Sequence, residues 1–282
     1  MMRASRGGRL LGGSVLALGF GFLYLPILLL MVYSFNASRL ATVWGGFSAR
    51  WYGELVRDRQ LLDAAWVSLE VAFWTACAST VLGTMAAMAM VRMRRFPGKT
   101  LFGALITAPL VMPEVIIGLS ILLLLVSMGG VLSIAPRGVV AIWVAHVTFT
   151  VSFVTVVISS RLQELDRSLE EAAMDLGATP LKVFFQITLP IIAPALASGW
   201  LLAFTLSLDD VVIASFLAGP SSTTLPIKVF SSVRLGISPK INALATLMVL
   251  AVSVAALIGW WLLARSEKRR LRDAQLALQR EG

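Results

Sequence analysis

Four carboxylates stand inside long apolar runs of this 282-residue chain: Glu70, Glu114 and the adjacent Asp209 and Asp210. A carboxylate in a hydrocarbon core costs roughly 2.5–3.5 kcal/mol on insertion scales, so such groups face a cavity or a partner and bind or relay positive charge. Glu114 sits in TAPLVMPEVIIG, directly after Pro113 and five residues after Pro109. Each proline removes an amide donor and leaves the carbonyls of Leu105 and Pro109 without their helical partners. Freed carbonyls beside a carboxylate suit a cation, in a broken helix that lines a wet cavity. Asp209 and Asp210 would point about 100° apart on a helix. One of them faces the path and the other caps, pairs or borders it; Asp210 is favoured for the path. Trp200, Phe204 and Phe216 on the same run offer ring faces to a cation or simply pack. His146, alone in its run, packs or hydrogen-bonds. With one Cys (Cys77) and one His there is no disulfide framework, metal centre or nucleophile–base pair, so no catalytic residue and no metal ligand is assigned. Negative groups at depth in a chain of formal charge +9 point to a cationic cargo. A diamine or polyamine, which needs separated carboxylates, fits well; an inorganic cation stays open.

The elements that must hold these residues are membrane helices. The chain is 58% hydrophobic and only 14% charged, too little charge for a soluble domain of this length. Six apolar runs are long enough to span a bilayer, at about 20 residues each: 11–35, 61–91, 101–128, 138–160, 195–218 and 241–264. The first exceeds the usual signal-peptide core and lacks a convincing cleavage site, so it is expected to stay as an anchor. The expectation is an all-α integral membrane protein with six transmembrane helices: a short N-terminus (1–10), one transmembrane domain (11–264) and a basic tail (265–282). Sixteen of the 24 Lys and Arg residues fall at 3–9, 92–99, 161–182 and 265–280, and eight on the opposite side. Because positive residues stay inside, both termini and the 161–194 loop face the cytoplasm. The excess positive charge is thereby an orientation signal, and no nucleic-acid partner is expected. Loop 36–60, with Trp44, Trp51 and Tyr52, reads as an interfacial aromatic anchor. Loop 219–240 reads as a short helix at the lipid surface or against an outer partner.

Inside the cytoplasmic loop, SLEEAAMDLGATPLKVFFQITLP (168–190) is punctuated as a helical hairpin. Ser168 with Glu171 forms a capping-box pattern, and Gly177 falls where a left-handed C-cap belongs. Thr179 and Pro180 restart a helix as N-cap and first residue. Leu181, Phe184, Phe185 and Thr188 then make a mostly apolar stripe, and Pro190 and Pro194 loosen the chain before it re-enters lipid. Two helices this short are marginal alone; they pack on their own membrane helices or on a partner, with Ala172 and Ala173 as a bare patch for close approach. Pro97-Gly98-Lys99-Thr100 imitates the end of a phosphate-binding loop, but Met93 replaces the required glycine and no strand precedes it. The chain therefore has no nucleotide site of its own, and energy must come from elsewhere.

Glu171-Ala172-Ala173, with Gly177 four residues after Ala173 and Ile187-Thr188-Leu189-Pro190 beyond, resembles the cytoplasmic EAA loop of ABC importer permeases. The likeness covers essentially the whole chain from the first helix onward. It implies the type I importer permease architecture, with coupling helices docked in a groove of a separate ATPase. It also makes Glu171, Ala172, Ala173, Gly177, Leu181 and Phe184 the coupling residues, while the substrate path is read from the membrane carboxylates Glu114, Asp210, Asp209 and Glu70. Residues 207–246, SLDDVVIASFLAGPSSTTLPIKVFSSVRLGISPKINALAT, resemble the polyamine branch of that family. The tail ARSEKRRLRDAQ (264–275) is most similar to the second permease of bacterial putrescine importers. The resemblance implies a location in the bacterial inner membrane, a sibling permease, an ATPase homodimer that uses ATP and Mg, and a periplasmic polyamine-binding protein. This chain itself would bind no cofactor. Competing readings are a permease for another cargo and a transporter driven by an ion gradient, with Glu114 and His146 carrying protons.

Overall fold

The computed structural model of the chain describes residues 6–40, 43–93, 95–129, 135–235 and 239–254, with Leu257, Trp261 and Arg265 beyond them. Among these residues regular structure is helical, with a lone bridge between Asn36 and Phe47 and no strand. The helices are α1 (Arg6–Tyr33), α2 (Arg50–Arg57), α3 (Arg59–Arg92), α4 (Lys99–Val111), α5 (Glu114–Ser127), α6 (Val139–Glu164), α7 (Arg167–Asp175), α8 (Pro180–Val183), α9 (Leu189–Leu208), α10 (Val212–Leu217), α11 (Leu225–Leu235) and α12 (Pro239–Val254), with a π-turn at Phe184–Thr188. The chain divides into two compact units, Met1–Asp58 with Ser232–Gly282, and Arg59–Ser231.

Four helical stretches are long and apolar enough to cross a membrane: Gly12–Tyr33, Arg59–Arg92, Val139–Glu164 and Pro180–Leu208. The pair α4 and α5, bent by 116°, makes a fifth if it is one span. Inside hydrocarbon a helix satisfies its backbone groups within a single segment, which is why uninterrupted apolar runs fold this way. The run expected at 241–264 appears as the apolar helix α12. Most of its remainder, residues 1–5 and nearly all of the 264–275 and 265–282 segments lie outside the described residues.

In the unit Arg59–Ser231, α3, α6 and α9 form a core closed by small side chains. Ala72, Ala76, Ser79, Gly83 and Ala87 line the buried face of α3. Val154 of α6 wedges between two helices: a Cβ on Gly83 would stand 2.8 Å from its Cγ1, and one on Gly199 of α9 3.2 Å. Hydrogen cannot be replaced by carbon at such an approach, and close backbone contact through small residues is how membrane helices associate. A second cluster joins Ile117, Ile121 and Leu125 of α5 to Ile213, Ala214 and Leu217 of α10 and to the first turns of α6.

Three sequence expectations change here. Pro190 and Pro194 do not loosen the chain, since one helical rod runs Pro180–Leu208. Pro190 stands just past the π-turn at Phe184–Thr188 inside that rod, and the helix accommodates Pro194 a turn later. The run 195–218 is instead interrupted at Asp209–Val211, between α9 and α10. In the other unit, Trp51 is packed rather than interfacial: it is 4% exposed and its Nε1 donates to the Asn36 carbonyl at 2.6 Å. Tyr52 likewise bonds Ser34, at 2.7 Å. The Asn36 side chain pins that loop through the Val43 carbonyl (2.7 Å) and the Gly45 amide (2.7 Å).

Candidate functional site

The break between α9 and α10 is built by one carboxylate. Asp210 is buried, and its oxygens accept the amides of Ala214 at 2.8 Å and Ile213 at 3.4 Å. It thus caps α10, offering local acceptors that compete with the continuing helix. Asp210 also faces His146 Nε2 at 3.2 Å, while His146 Nδ1 lies 2.7 Å from Ser207 Oγ. A carboxylate only accepts, so Nε2 carries the proton of that bond. Thr150 donates to the His146 carbonyl at 2.7 Å and shares a 2.7 Å bond with Ser79. A buried polar chain therefore ties α3, α6, α9 and α10 at the break. Of the two roles foreseen for the aspartates, Asp210 performs the capping and pairing.

Asp209 is exposed at the C-terminal end of α9, its amide donating to Thr205 at 3.2 Å. Unpaired carbonyls make that end partially negative, so a carboxylate there adds to a negative field and attracts a cation. Glu114 opens α5, half-buried, within electrostatic reach of Asp209, Asp210 and His146. Its helix starts there because Met112 is extended (ψ 137°) ahead of Pro113, as a residue before proline prefers. The structure thus brings Glu114, Asp209 and Asp210 together at two helix breaks. Glu70 is apart, on the exposed face of α3. Trp200 stacks on Phe204 at 5.3 Å and donates to Cys77 Sγ at 3.4 Å, so these rings pack.

The helical hairpin is present, with one cap moved. Asp166, not Ser168, is the N-cap of α7, accepting the Ser168 amide at 2.9 Å. That bond holds the Asp166 carboxyl below the usual carboxylate range. Gly177 has φ 85°. Its amide reaches the Met174 carbonyl at 2.9 Å and that of Ala178 reaches Ala173 at 3.0 Å, the paired bonds of a glycine C-cap. Thr179 caps α8 with Pro180 behind it. The expected apolar stripe splits: Thr188 is buried, whereas Leu181 and Phe185 are 72% and 61% exposed. Leu176, at 90%, forms the tip with Met174 and Leu169 nearby in sequence. Glu171 and Ala172 are exposed, while Phe184 and Ala173 are half-buried.

Sequence reasoning missed the brace behind this tip. Glu170, beside the expected Glu171, pairs with Arg92 Nε of α3 at 3.1 Å and accepts a bond from Thr188 Oγ1 at 2.7 Å. Arg167 donates to the Val91 carbonyl at 2.8 Å. The hairpin is thus fastened to the end of α3 and to the root of α9. Nearby, between α3, α4 and α6, opens a cleft of about 810 Å³ with Thr107, Thr155, Ser159, Ser160 and Gln163 among its lining residues. Among the described residues no group of three His, Cys, Asp or Glu could hold a metal ion.

Residues 79–272 match the family described as "Binding-protein-dependent transport system inner membrane component". The chain is 61% identical over 264 residues to the putrescine transport system permease protein PotI of Escherichia coli K12, covering 93% of this chain and 94% of that protein. It is 40% identical over 262 residues to the spermidine/putrescine transport system permease protein PotC of the same organism, covering 93% and 97%. Among solved structures it resembles a chain in the crystal structure of a bacterial ABC transporter involved in the import of the acidic polysaccharide alginate. There the TM-score is 0.73 at 16% identity, covering 92% of this chain and 99% of that one; at that identity the likeness concerns the fold alone.

Proposed function

Because this chain belongs to the family of binding-protein-dependent transport system inner membrane components, we propose that it is a permease subunit of an ATP-driven polyamine importer, with putrescine as the leading cargo. The chain-long likeness to a putrescine permease carries this reading, and the carboxylates at the two helix breaks supply chemistry that suits it. It is a multi-pass inner-membrane protein of type I importer architecture. Its six spans are α1, α3, the α4–α5 pair, α6, α9 with α10, and the run that contains α12, within one transmembrane domain at 11–264. The N-terminus (1–10), the 161–194 loop and the 265–282 tail lie in the cytoplasm, a sidedness that the Lys and Arg distribution supports.

The chain performs no covalent chemistry and binds no cofactor. A sibling permease completes the path, a periplasmic polyamine-binding protein delivers cargo, and a homodimeric ATPase consumes ATP with Mg. The ATPase takes the exposed tip around Leu176, Ala172 and Leu181. Motion of that tip passes through the Glu170–Arg92–Thr188 brace into the 29-residue rod Pro180–Leu208. The rod ends at Asp209, where the amine's positive charge meets Asp209 and Glu114.

The test is reconstitution of this chain with its sibling, ATPase and binding protein in proteoliposomes. ATP-dependent putrescine uptake that stops without the ATPase is the expected result. Uptake driven by an ion gradient with no ATPase present would instead establish a secondary transporter.

A further inference from the structure

We infer that the cleft between α3, α4 and α6 is a site for one anionic phospholipid of the inner leaflet, its phosphate held between Arg92 and Arg167; this rests on the membrane orientation proposed above. The cleft, of about 810 Å³, lies within one compact unit. Two arginines and no carboxylate line it. A polyamine therefore finds nothing there to pair with, and the cleft lies off the cargo's path. Glu170 answers only part of the charge. It meets Arg92 Nε at 3.1 Å, but Arg92 Nη2 is buried without a hydrogen-bond partner, on a side chain only 13% exposed. Arg167 donates to the Val91 carbonyl and has no ion pair among the described residues. The side chains of Ser159, Ser160 and Gln163, also in the lining, take no partner among those residues either.

A buried guanidinium with an unused donor is costly, and its planar fork of N–H groups matches the oxygens of a phosphate. The occupant is a lipid because the lining changes in the order that a phospholipid does. Thr155, Ser159 and Gln163 fall at i, i+4 and i+8, one stripe of α6 about 12 Å long at 1.5 Å per residue. The arginines and Gln163 stand at its outer end, where α3 and α6 leave the membrane; the serines follow. Val156 lies deepest on α6, with Gly103 and Ile106 of α4 also in the lining. Charge, then hydroxyls, then apolar side chains suit a headgroup, its ester linkages and its acyl chains. Basic pockets between membrane helices on the cytoplasmic side are where anionic headgroups settle. A zwitterionic lipid would bring an ammonium against two guanidiniums, whereas phosphatidylglycerol brings none. Both arginines also border the smaller groove beneath the hairpin, beside Glu170 and Glu171. A phosphate between them therefore joins the end of α3 to the start of α7, and coupling through the hairpin depends on the lipid.

The complete importer tests this in phosphatidylethanolamine bilayers with increasing phosphatidylglycerol, the retained phosphatidylglycerol being counted by native mass spectrometry. Arg167→Gln should raise the phosphatidylglycerol fraction needed for half-occupancy about fivefold, the worth of one basic contact with an anionic lipid. Ser159→Trp, which fills the cleft and leaves both arginines in place, should retain one phosphatidylglycerol fewer per copy of this chain. ATP-dependent putrescine uptake should rise with phosphatidylglycerol in the unmodified importer and stay flat in Ser159→Trp, and both variants should purify with the sibling permease. Unchanged retention in either variant would overturn the site. So would release of the lipid by inorganic phosphate, which would make the occupant a soluble anion, or loss of the sibling permease from Ser159→Trp, which would make the cleft an interface. Lipid retention is read without transport, so it stands apart from failure of the cargo reading, which shows as no putrescine uptake by the unmodified importer at any lipid composition.

Discussion

Asp209 and Asp210 are chemically identical neighbours with opposite fates, and their difference is testable. Asp210 is buried between His146 and two amides, so Asp210→Asn replaces an acceptor that three donors require. Loss of buried hydrogen bonds of this kind costs about 1–3 kcal/mol, and the variant should lower the thermal stability and yield of the purified complex. Asp209 is exposed, and Asp209→Asn should leave stability unchanged while weakening amine uptake, as should Glu114→Gln. Normal uptake in both of the latter would remove the cation site from the helix breaks. The glutamates of the hairpin separate in the same way. Glu170→Ala strands the half-buried Arg92 and should destabilise the complex by about 1–3 kcal/mol in thermal melts, whereas Glu171→Ala should leave the melt alone. Asp166 adds a pH effect whose sign is fixed. Its carboxyl titrates lower folded than unfolded, so the α7 cap is intact above the ordinary carboxylate range. The cap's contribution is lost as pH falls through the folded value. Hydrogen exchange of the Ser168 amide at falling pH reads this directly, and Asp166→Asn should flatten the response.

At the scale of helices, the wedge of Val154 between α3 and α9 is the most demanding contact. Gly83→Val would push two methyls into a space where one Cβ already meets Val154 at 2.8 Å. Overpacking of that kind costs about 1–3 kcal/mol, visible as a lower melting temperature, and Val154→Ala should return part of it. No pattern in the sequence marks Gly83 as special, because its partner is 71 residues away. Distance along the chain also hid Glu170: its partner Arg92 is 78 residues away, and the local motif drew the eye to Glu171. Chemistry confined to a few neighbours was legible, as Gly177, Thr179 and Pro180 and the Pro113 break all fall where their types require. Where two local preferences compete, neighbours alone do not decide. Proline favours a break at 190–194, but α9 carries through; an apolar run favours helix at 209–211, but Asp210 interrupts it. That reversal gives the coupling rod its length. Two glycines inserted between Ile192 and Ala193 should disconnect its ends, abolishing uptake while hydrolysis by the docked ATPase continues.

For the whole molecule the proposed function raises the question of how an engine outside the membrane would command a site within it, and on that reading one apolar tip sets the answer. Leu176 is 90% exposed at the turn of the hairpin, directly before the Gly177 cap that turns the chain. Burying a leucine of that exposure against a partner is worth about 1.5–3 kcal/mol, or roughly a tenfold to hundredfold change in affinity. Leu176→Glu should therefore weaken the ATPase's hold by about that factor without affecting the fold, because the side chain touches water rather than protein. Binding energies at linked sites are reciprocal. On the proposed reading, where ATPase and cargo prefer the same state of the rod, each strengthens the other by the same free energy. With docking weakened, saturating concentrations of ATPase should restore uptake in Leu176→Glu, whereas no concentration should restore it when the rod is cut at residue 192. A Leu176→Glu importer that bound its ATPase normally would place the docking surface elsewhere and deprive the hairpin of its part in transport.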